Sequence, residues 1–122
     1  MTTPRAASPS FLVAMASYAT SLGADISLHT ADPGEGGGAE IADAAYSRQP
    51  TTWGTPTMIG GNAESLGSDV TFILPPSTVA THYGVWDGGN YQYGAPLSPP
   101  ITISSSGPGT AIVTPVYQEQ PG

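Results

Sequence analysis

The pattern of apolar and polar residues changes at residue 23. Before it, apolar residues recur at intervals of three and four, as on one face of a helix. The residues of this face are Phe11, Met15, Tyr18 and Leu22, with Leu12 and Ala19 beside them. We predict a helix over residues 10–22, with Ser8 or Ser10 as its N-cap. Gly23 is suited to the left-handed residue that commonly ends a helix. Because one short helix is unstable alone, its apolar face is expected to pack against a sheet or a partner.

After residue 23 the pattern is that of short strands. Residues 26–30 alternate, which places Ile26 and Leu28 on one face and Ser27 and His29 on the other. Further strands are predicted over residues 70–74, 81–87, 91–95, 101–103 and 111–114. Residues 31–66 show little periodicity and are predicted to be a long loop with one short strand near Met58. Five or six short strands separated by turns predict a mainly β protein, a small antiparallel β-sandwich or barrel with one N-terminal α-helix.

Two segments carry strong turn signals. Their residues are Asp32, Pro33 and Gly34 in the first, and Asp87, Gly88, Gly89 and Asn90 in the second. In the first, the proline presets the φ of one turn position and the glycine accepts the positive φ that follows. The second joins two alternating runs, and its paired glycines predict a tight β-hairpin.

The composition limits the partners of the chain. At 122 residues it is predicted to be one domain, with an N-terminal arm over 1–9, a helix-plus-β-sandwich domain over 10–117 and a C-terminal tail over 118–122. The formal net charge is −7, and the only Lys or Arg residues are Arg5 and Arg48. Binding to nucleic acid or to an anionic membrane depends on clustered cations, so we expect neither partner.

No sequence pattern indicates a catalytic or metal site. There is no Gly-x-Ser-x-Gly elbow, and the absence of cysteine excludes disulfides and thiolate ligands. His29 and His82 lie on two predicted strands and could approach each other, but without ligand spacing we interpret them as structural. The acidic residues of the Gly-rich stretch are Asp32, Glu35, Glu40 and Asp43. Their spacing is too irregular for a calcium loop. We predict no catalytic residue, no metal and no cofactor.

Arg48 and the aromatic residues are the candidates for contacts. The guanidinium of Arg48 can bind a carboxylate with two hydrogen bonds, either clipping the loop over 32–40 onto the sheet or contacting another subunit. The interface or loop-anchoring candidates are Arg48, Tyr46, Trp53, Tyr83, Trp86, Tyr91 and Tyr93. Aromatic residues along a hairpin form sheet core, a subunit interface or a surface that stacks on sugar rings. The sequence leaves these alternatives open.

Two blocks of sequence carry a family resemblance. The first reads Leu28-His29-Thr30-Ala31-Asp32-Pro33-Gly34 and continues to Tyr46-Ser47-Arg48-Gln49, and the second reads Thr81-His82-Tyr83-Gly84-Val85-Trp86-Asp87 followed by Gly88-Gly89-Asn90. Together they resemble a family of small tailed-phage virion proteins, described as tail-fibre-like or minor tail proteins, over residues 10–105. The resemblance implies a structural part of a virus particle and not an enzyme.

We therefore expect a non-enzymatic virion protein of a bacteriophage, assembled in the host cytoplasm. Its expected place is the tail or a tail fibre, where it acts through contacts with copies of itself and with other virion proteins. The first alternative is a head (capsid) decoration or minor capsid protein. The second is a binding module that holds a host-surface glycan on the Tyr/Trp hairpin. The polar, proline-broken ends of the chain are expected to be assembly contacts.

Overall fold

The computed structural model describes residues 6–122, so the first five residues of the predicted arm lie outside the described part. Within it the chain forms one α-helix and nine β-strands. In chain order these are α1 Pro9–Thr20, β1 Asp25–His29, β2 Gln49–Pro50, β3 Thr57–Ile59, β4 Asn62–Leu66, β5 Val70–Leu74, β6 Val79–Asp87, β7 Asn90–Thr102, β8 Gly109–Val113 and β9 Val116–Glu119. The prediction of a mainly β fold with one N-terminal helix is confirmed.

The strands form three small antiparallel sheets. Their strand orders are β2-β1-β6-β7, β3-β4-β9 and β5-β8. The main core joins the first and third sheets, because the buried apolar residues of β1 and β6 form one cluster with those of β5 and β8. Phe72 of β5 and Leu28 of β1 are among its largest buried side chains. This packing of sheet on sheet is a small sandwich.

Burial on β5 follows the predicted alternation, whereas burial on β1 does not. Val70, Phe72 and Leu74 are buried and the two residues between them are exposed. On β1, however, Ser27 and His29 are as fully buried as their neighbours. The alternation of β1 predicts two faces of different polarity, and both of them are buried. Its second face is covered by the chain segment that follows the strand.

Helix α1 begins as predicted but ends differently. The Oγ of Ser8 accepts a hydrogen bond from the Phe11 N–H at 3.2 Å, so Ser8 is the N-cap and Pro9 is the first helical residue. The C-cap is Ser21, in a right-handed conformation. The prediction of a left-handed Gly23 is wrong, because its φ is not positive. A side chain is instead excluded there by space, since a Cβ would lie 2.7 Å from the Trp86 carbonyl oxygen.

The predicted apolar face of α1 is the buried one only in part. Leu12 of that face is buried together with Ala16, and both pack against Ala63 of β4. The exposed large apolar residues of this segment are Phe11, Tyr18 and Leu22. Because residues 9–20 contain no charged side chain, both faces are apolar and periodicity could not choose between them.

The prediction of one short strand within residues 31–66 is incomplete. β3 is present at the expected place, but β2 and β4 were missed. β4 is hard to detect because its two buried residues, Ala63 and Ser65, are small. It pairs with β9, which extends to Glu119 and takes the first two residues of the predicted tail.

The two strands predicted over 91–95 and 101–103 are one continuous strand, β7. Its pairing with β6 is irregular between Ala80 and His82. Within residues 6–122, no helix has the length and apolar character needed to cross a membrane.

Candidate functional site

The segment between β1 and β2 folds back over the four-stranded sheet. We call residues 30–40 of this segment the Gly-rich loop. Its turn is closed by the Asp32 carboxylate, which accepts a hydrogen bond from the Gly34 N–H at 2.9 Å. The Pro33 carbonyl accepts hydrogen bonds from the N–H groups of Gly37 and Gly38, each at 3.0 Å. Gly34 has a φ of 63°, which suits the absence of a side chain.

Glu40 is the centre of the contacts that hold the end of this loop. The Arg48 guanidinium donates from Nε to Oε2 at 3.0 Å and from Nη2 to Oε1 at 2.9 Å, a bidentate pair. The Tyr46 hydroxyl donates to Oε2 at 2.7 Å. The same hydroxyl accepts the Leu28 N–H of β1 at 2.9 Å. Glu40 is therefore joined through Tyr46 to the core strand.

Arg48 also covers the ring of Trp86. Its Cζ lies 3.5 Å from the ring centroid, within the range of a cation–π contact. Its Nη1 donates to the Gly88 carbonyl of the hairpin turn at 3.4 Å. The Tyr91 ring meets Trp86 edge to face at 5.1 Å, and the Tyr91 hydroxyl donates to the Gly34 carbonyl at 3.3 Å. The hairpin and the Gly-rich loop thus hold each other.

A chain of hydrogen bonds runs beneath the loop. The Trp86 indole donates from Nε1 to the Ser27 Oγ at 2.8 Å, and this oxygen lies 2.6 Å from the His29 Nε2. The His29 Nδ1 lies 2.7 Å from the Gly38 carbonyl oxygen. Because a carbonyl can only accept, Nδ1 carries the proton. The Ser27 hydroxyl, which accepts from the Trp86 indole, can donate its own proton to Nε2, and this is the arrangement of a neutral His29.

The electrostatics favour this arrangement. Burial acts to raise the pKa of Glu40, but the hydrogen bonds from Arg48 and Tyr46 outweigh it and hold the pKa below its ordinary value. The hydrogen bonds to Glu40 raise the pKa of Arg48. Burial lowers the pKa of His29, against smaller opposing effects of the Gly38 carbonyl and Glu40. Glu40 and Arg48 are therefore held charged and His29 neutral. We call Ser27, His29, Glu40, Tyr46, Arg48 and Trp86 the anchor cluster.

The remaining aromatic candidates lie in different surroundings. Tyr83 is buried in the main core, and its hydroxyl donates to the Val116 carbonyl at 3.0 Å. Tyr93 is half-buried and meets Tyr117 edge to face at 5.7 Å. Trp53 packs against the core and donates from Nε1 to the Gly23 carbonyl at 2.8 Å.

The two turns predicted from the sequence are both in contact with this part of the molecule. The Gly88 carbonyl of the second turn accepts from Arg48, and the Gly34 carbonyl of the first accepts from Tyr91. In the β6–β7 hairpin, Asp87 pairs with Asn90, and Gly88 has a φ of 57° while Gly89 has no positive φ. The structure thus brings both turns together with Arg48, Tyr46, Trp86 and Tyr91, and leaves Trp53, Tyr83 and Tyr93 elsewhere.

The two histidines face each other across β1 and β6, where they are Cα partners. Both ring nitrogens of His29 are already engaged, and the His82 Nδ1 lies 2.8 Å from the Thr81 Oγ1. Within residues 6–122 no group of three His, Asp or Glu side chains is arranged to hold a metal ion.

Sequence reasoning missed two members of this site. Ser27 was placed on the face of β1 opposite Ile26 and Leu28 but was not named as a site residue, although it accepts the indole N–H of Trp86. Glu40 was considered only as a calcium ligand. The sequence carried a signal for this contact. In a chain with two arginines and no lysine, an acidic residue of the loop close to Arg48 is the expected ion-pair partner.

One comparison identifies the family. The family model described as Gp80, podophage GP4 fiber I protein gp80, matches residues 12–112, from α1 into β8, and this span includes the whole anchor cluster. No curated protein and no solved structure matches the chain. The chain therefore belongs to this family of podophage fibre proteins, and it is a phage virion component.

Proposed function

We propose that this member of the podophage fibre family is a non-enzymatic subunit of the tail-fibre apparatus. In this function it works through contacts with copies of itself and with other virion proteins. The observation that carries the proposal is the family match over residues 12–112. The match spans the folded domain and not a single motif.

The use of the charged groups agrees with a structural function. Arg48 and Glu40 bind each other, and His29 is buried with both ring nitrogens engaged. A catalytic acid or base needs access to a substrate proton. The groups of the anchor cluster instead hold the Gly-rich loop against the sheet.

Glycan binding is less well supported by the aromatic residues. A sugar ring stacks on an exposed aromatic face, but the face of Trp86 is occupied by Arg48. Tyr83 is buried. The hairpin aromatic residues therefore contribute mainly to packing within the chain.

Imaging of the particle tests the proposal. Phage that carry an epitope tag on this chain would be labelled with gold-conjugated antibody and compared with untagged particles. We expect label on the tail fibres. Label on the capsid shell would instead support the decoration alternative, and the absence of the chain from purified particles would refute a virion function. Specific binding of the purified chain on a glycan array would support the glycan-binding alternative.

A further inference from the structure

Strand β8 is an edge strand of the smallest sheet. It has β5 on one side, and no strand of the described residues pairs with its other side. A cavity of about 620 Å³ runs along this second side, which we call the free edge. Ile112 of the outer face and Val113 of the inner face both line the cavity, as expected for a space at the edge of a strand. Alternate residues of β8 direct their backbone N–H and C=O groups away from β5, towards this edge.

The other sheet edges of the described chain are protected against pairing. β2 and β3 have only two and three residues, β9 ends in the charged Glu119, and β5 lies against β2. β7 contains Pro96, Pro99 and Pro100, which have no N–H to donate, and its register with β6 shifts over the same residues. β8 has five residues and contains neither proline nor a charged side chain. An unprotected edge of this kind is a template for pairing with another chain.

The outer face of the β5-β8 sheet has a regular pattern of isoleucine and threonine. Thr71 is the cross-strand partner of Ile112, and Ile73 is that of Thr110. All four side chains are exposed, Ile112 at 63% and Ile73 at 48%. Each isoleucine therefore lies across from a threonine, and the two isoleucines lie on a diagonal.

We propose that β8 pairs with β8 of a second copy of this chain. The two strands are antiparallel and related by a two-fold axis at Ala111, so that Ala111 of one copy opposes Ala111 of the other. Ile112 of each copy then opposes Thr110 of the other, and the two small sheets become one sheet of four strands. The inference rests on the proposed function, in which the chain works through contacts between its copies.

The cross-strand pairs favour a copy of the chain over a different partner. The new pair of Ile112 with Thr110 repeats the kind of pair that β5 and β8 already make. Across the four strands the order becomes Thr71, Ile112, then Thr110 and Ile73 of the second copy, so the two residue types alternate throughout. Such cross-strand pairs stabilise a sheet, and a two-fold pairing uses both free edges at once.

The charges near β8 do not oppose this pairing. Asp69 accepts a hydrogen bond from the Thr114 hydroxyl, but it precedes β5 and so lies on the side of β8 away from the free edge. Gln118, which lines the cavity, donates to Glu64 of β4 at 2.7 Å. The residues that oppose each other in the pairing, 109–113 of both copies, are all uncharged. Two chains of net charge −7 can therefore meet here without placing carboxylates across from each other.

The oligomeric state of the full chain tests the inference. Sedimentation equilibrium should show a dimer that dissociates on dilution. Ile112→Lys should weaken the association about tenfold or more, because it places two like charges on adjacent strands. Ile73→Lys is the matched control, since Ile73 is exposed on the same face but lies on β5. Circular dichroism would verify that both variants keep the fold. A chain that is monomeric at all concentrations, or lysine variants that weaken the dimer equally or not at all, would overturn the inference.

A cysteine substitution tests the position of the axis. The chain has no cysteine, so Ala111→Cys introduces a single thiol. Opposed residues of antiparallel strands have Cα atoms about 4.5–5.5 Å apart, which is within the range of a disulfide. With diamide as oxidant we expect a covalent dimer of Ala111→Cys but not of Thr71→Cys, although Thr71 is exposed and Ala111 is buried.

Two results would exclude this edge as the interface. One is the failure of Ala111→Cys to form a covalent dimer, and the other is a covalent dimer of Thr71→Cys that forms as readily. If the chain is present on tail fibres but does not pair through β8, this inference fails while the proposed function stands.

Discussion

The guanidinium of Arg48 lies over the ring of Trp86, with its Cζ 3.5 Å from the ring centroid. Arg48 follows the Gly-rich loop and Trp86 lies on β6, so the contact joins segments almost forty residues apart. The same guanidinium binds both oxygens of Glu40. One side chain thus fixes the end of the loop, the hairpin and the sheet, and this explains why the chain places one of its two arginines here.

Replacing Arg48 should destabilise the fold even when the charge is kept. Arg48→Lys loses the planar fork and the stacking on Trp86, and we expect a loss of about 1 kcal/mol in the free energy of unfolding, because the site is partly exposed. Urea denaturation followed by tryptophan fluorescence measures it. Glu35→Gln is the control, as an exposed acid of the same loop. Equal stability of Arg48→Lys and the unmodified chain would show that the pair contributes nothing.

His29 should make stability depend on pH in a defined window. Burial lowers the pKa of His29 in the folded chain below its unfolded value of ~6.5, so the unfolded state binds the proton first as the pH falls. The stability that neutral His29 contributes is complete above about pH 6.5 and is lost as the pH falls below that value. Glu40 acts at lower pH. Because its pKa is lowered in the folded chain, the stability that its charged form contributes is lost only as the pH falls below its ordinary pKa of ~4.5.

The comparison of two substitutions isolates the His29 effect. We expect His29→Gln to remove the fall in unfolding free energy between about pH 6.5 and 5, whereas His82→Gln should keep it. Chemical denaturation at a series of pH values gives the slope. A slope that survives in His29→Gln would assign the effect to another group.

Gly37 should tolerate no side chain. Its φ is 76°, and a Cβ would lie 2.8 Å from atoms of the Trp86 ring. Strain and overlap together should cost about 2 kcal/mol or more in Gly37→Ala. Gly36→Ala is a matched control one residue away, because nothing lies within 4 Å of its Cβ position. Thermal unfolding of both variants tests the difference, and similar melting temperatures would mean that the loop does not pack on Trp86 in solution.

The sequence predicts elements whose side chains alternate clearly in size and polarity, and fails where small residues are buried. β5 matches its predicted range because Val70, Phe72 and Leu74 are large. β4 was missed, although the Gly60–Gly61 pair before it is a hairpin signal of the same kind as Gly88–Gly89, and both of its glycines have positive φ. That turn could have been recognised from the sequence.

Half of the anchor cluster could be predicted from the sequence. Arg48 was singled out because cations are scarce in this chain, and Tyr46 and Trp86 because large aromatic residues commonly anchor contacts. Their partners could not be predicted, because the carboxylate of Glu40 and the hydroxyl of Ser27 reach them only through the fold of the Gly-rich loop. The buried face of α1 could not be predicted either, since both faces of that helix are apolar.

The β6–β7 turn should respond differently at its two glycines. The paired glycines predict a tight hairpin turn, in which positive φ values are permitted at both, but only Gly88 has one. A positive φ at the first central residue alone is a feature of the type II′ turn. Gly88→Val should therefore lower the unfolding free energy by about 1 kcal/mol or more, and Gly89→Val by less. Equal losses in thermal unfolding would point to a type I′ turn.

The N-terminal arm should act in assembly and not in folding. Residues 1–8 are mostly polar and contain Pro4. Among the described ones, Ser8 is the N-cap of α1 and Ala7 packs against the cluster of Leu12, Ala16 and Ala63. Deleting residues 1–5 should leave the unfolding free energy unchanged, while deleting residues 1–8 should cost about 1 kcal/mol or more through loss of the cap and of the Ala7 contact. Both deletions should reduce incorporation of the chain into particles, measured by quantitative immunoblot of purified phage. Ser8→Ala is the control that removes the cap and keeps the arm, and it should lose about 1 kcal/mol but incorporate normally. A chain that unfolds when residues 1–5 are deleted, with assembly unaffected by the arm, would show that the arm belongs to the core.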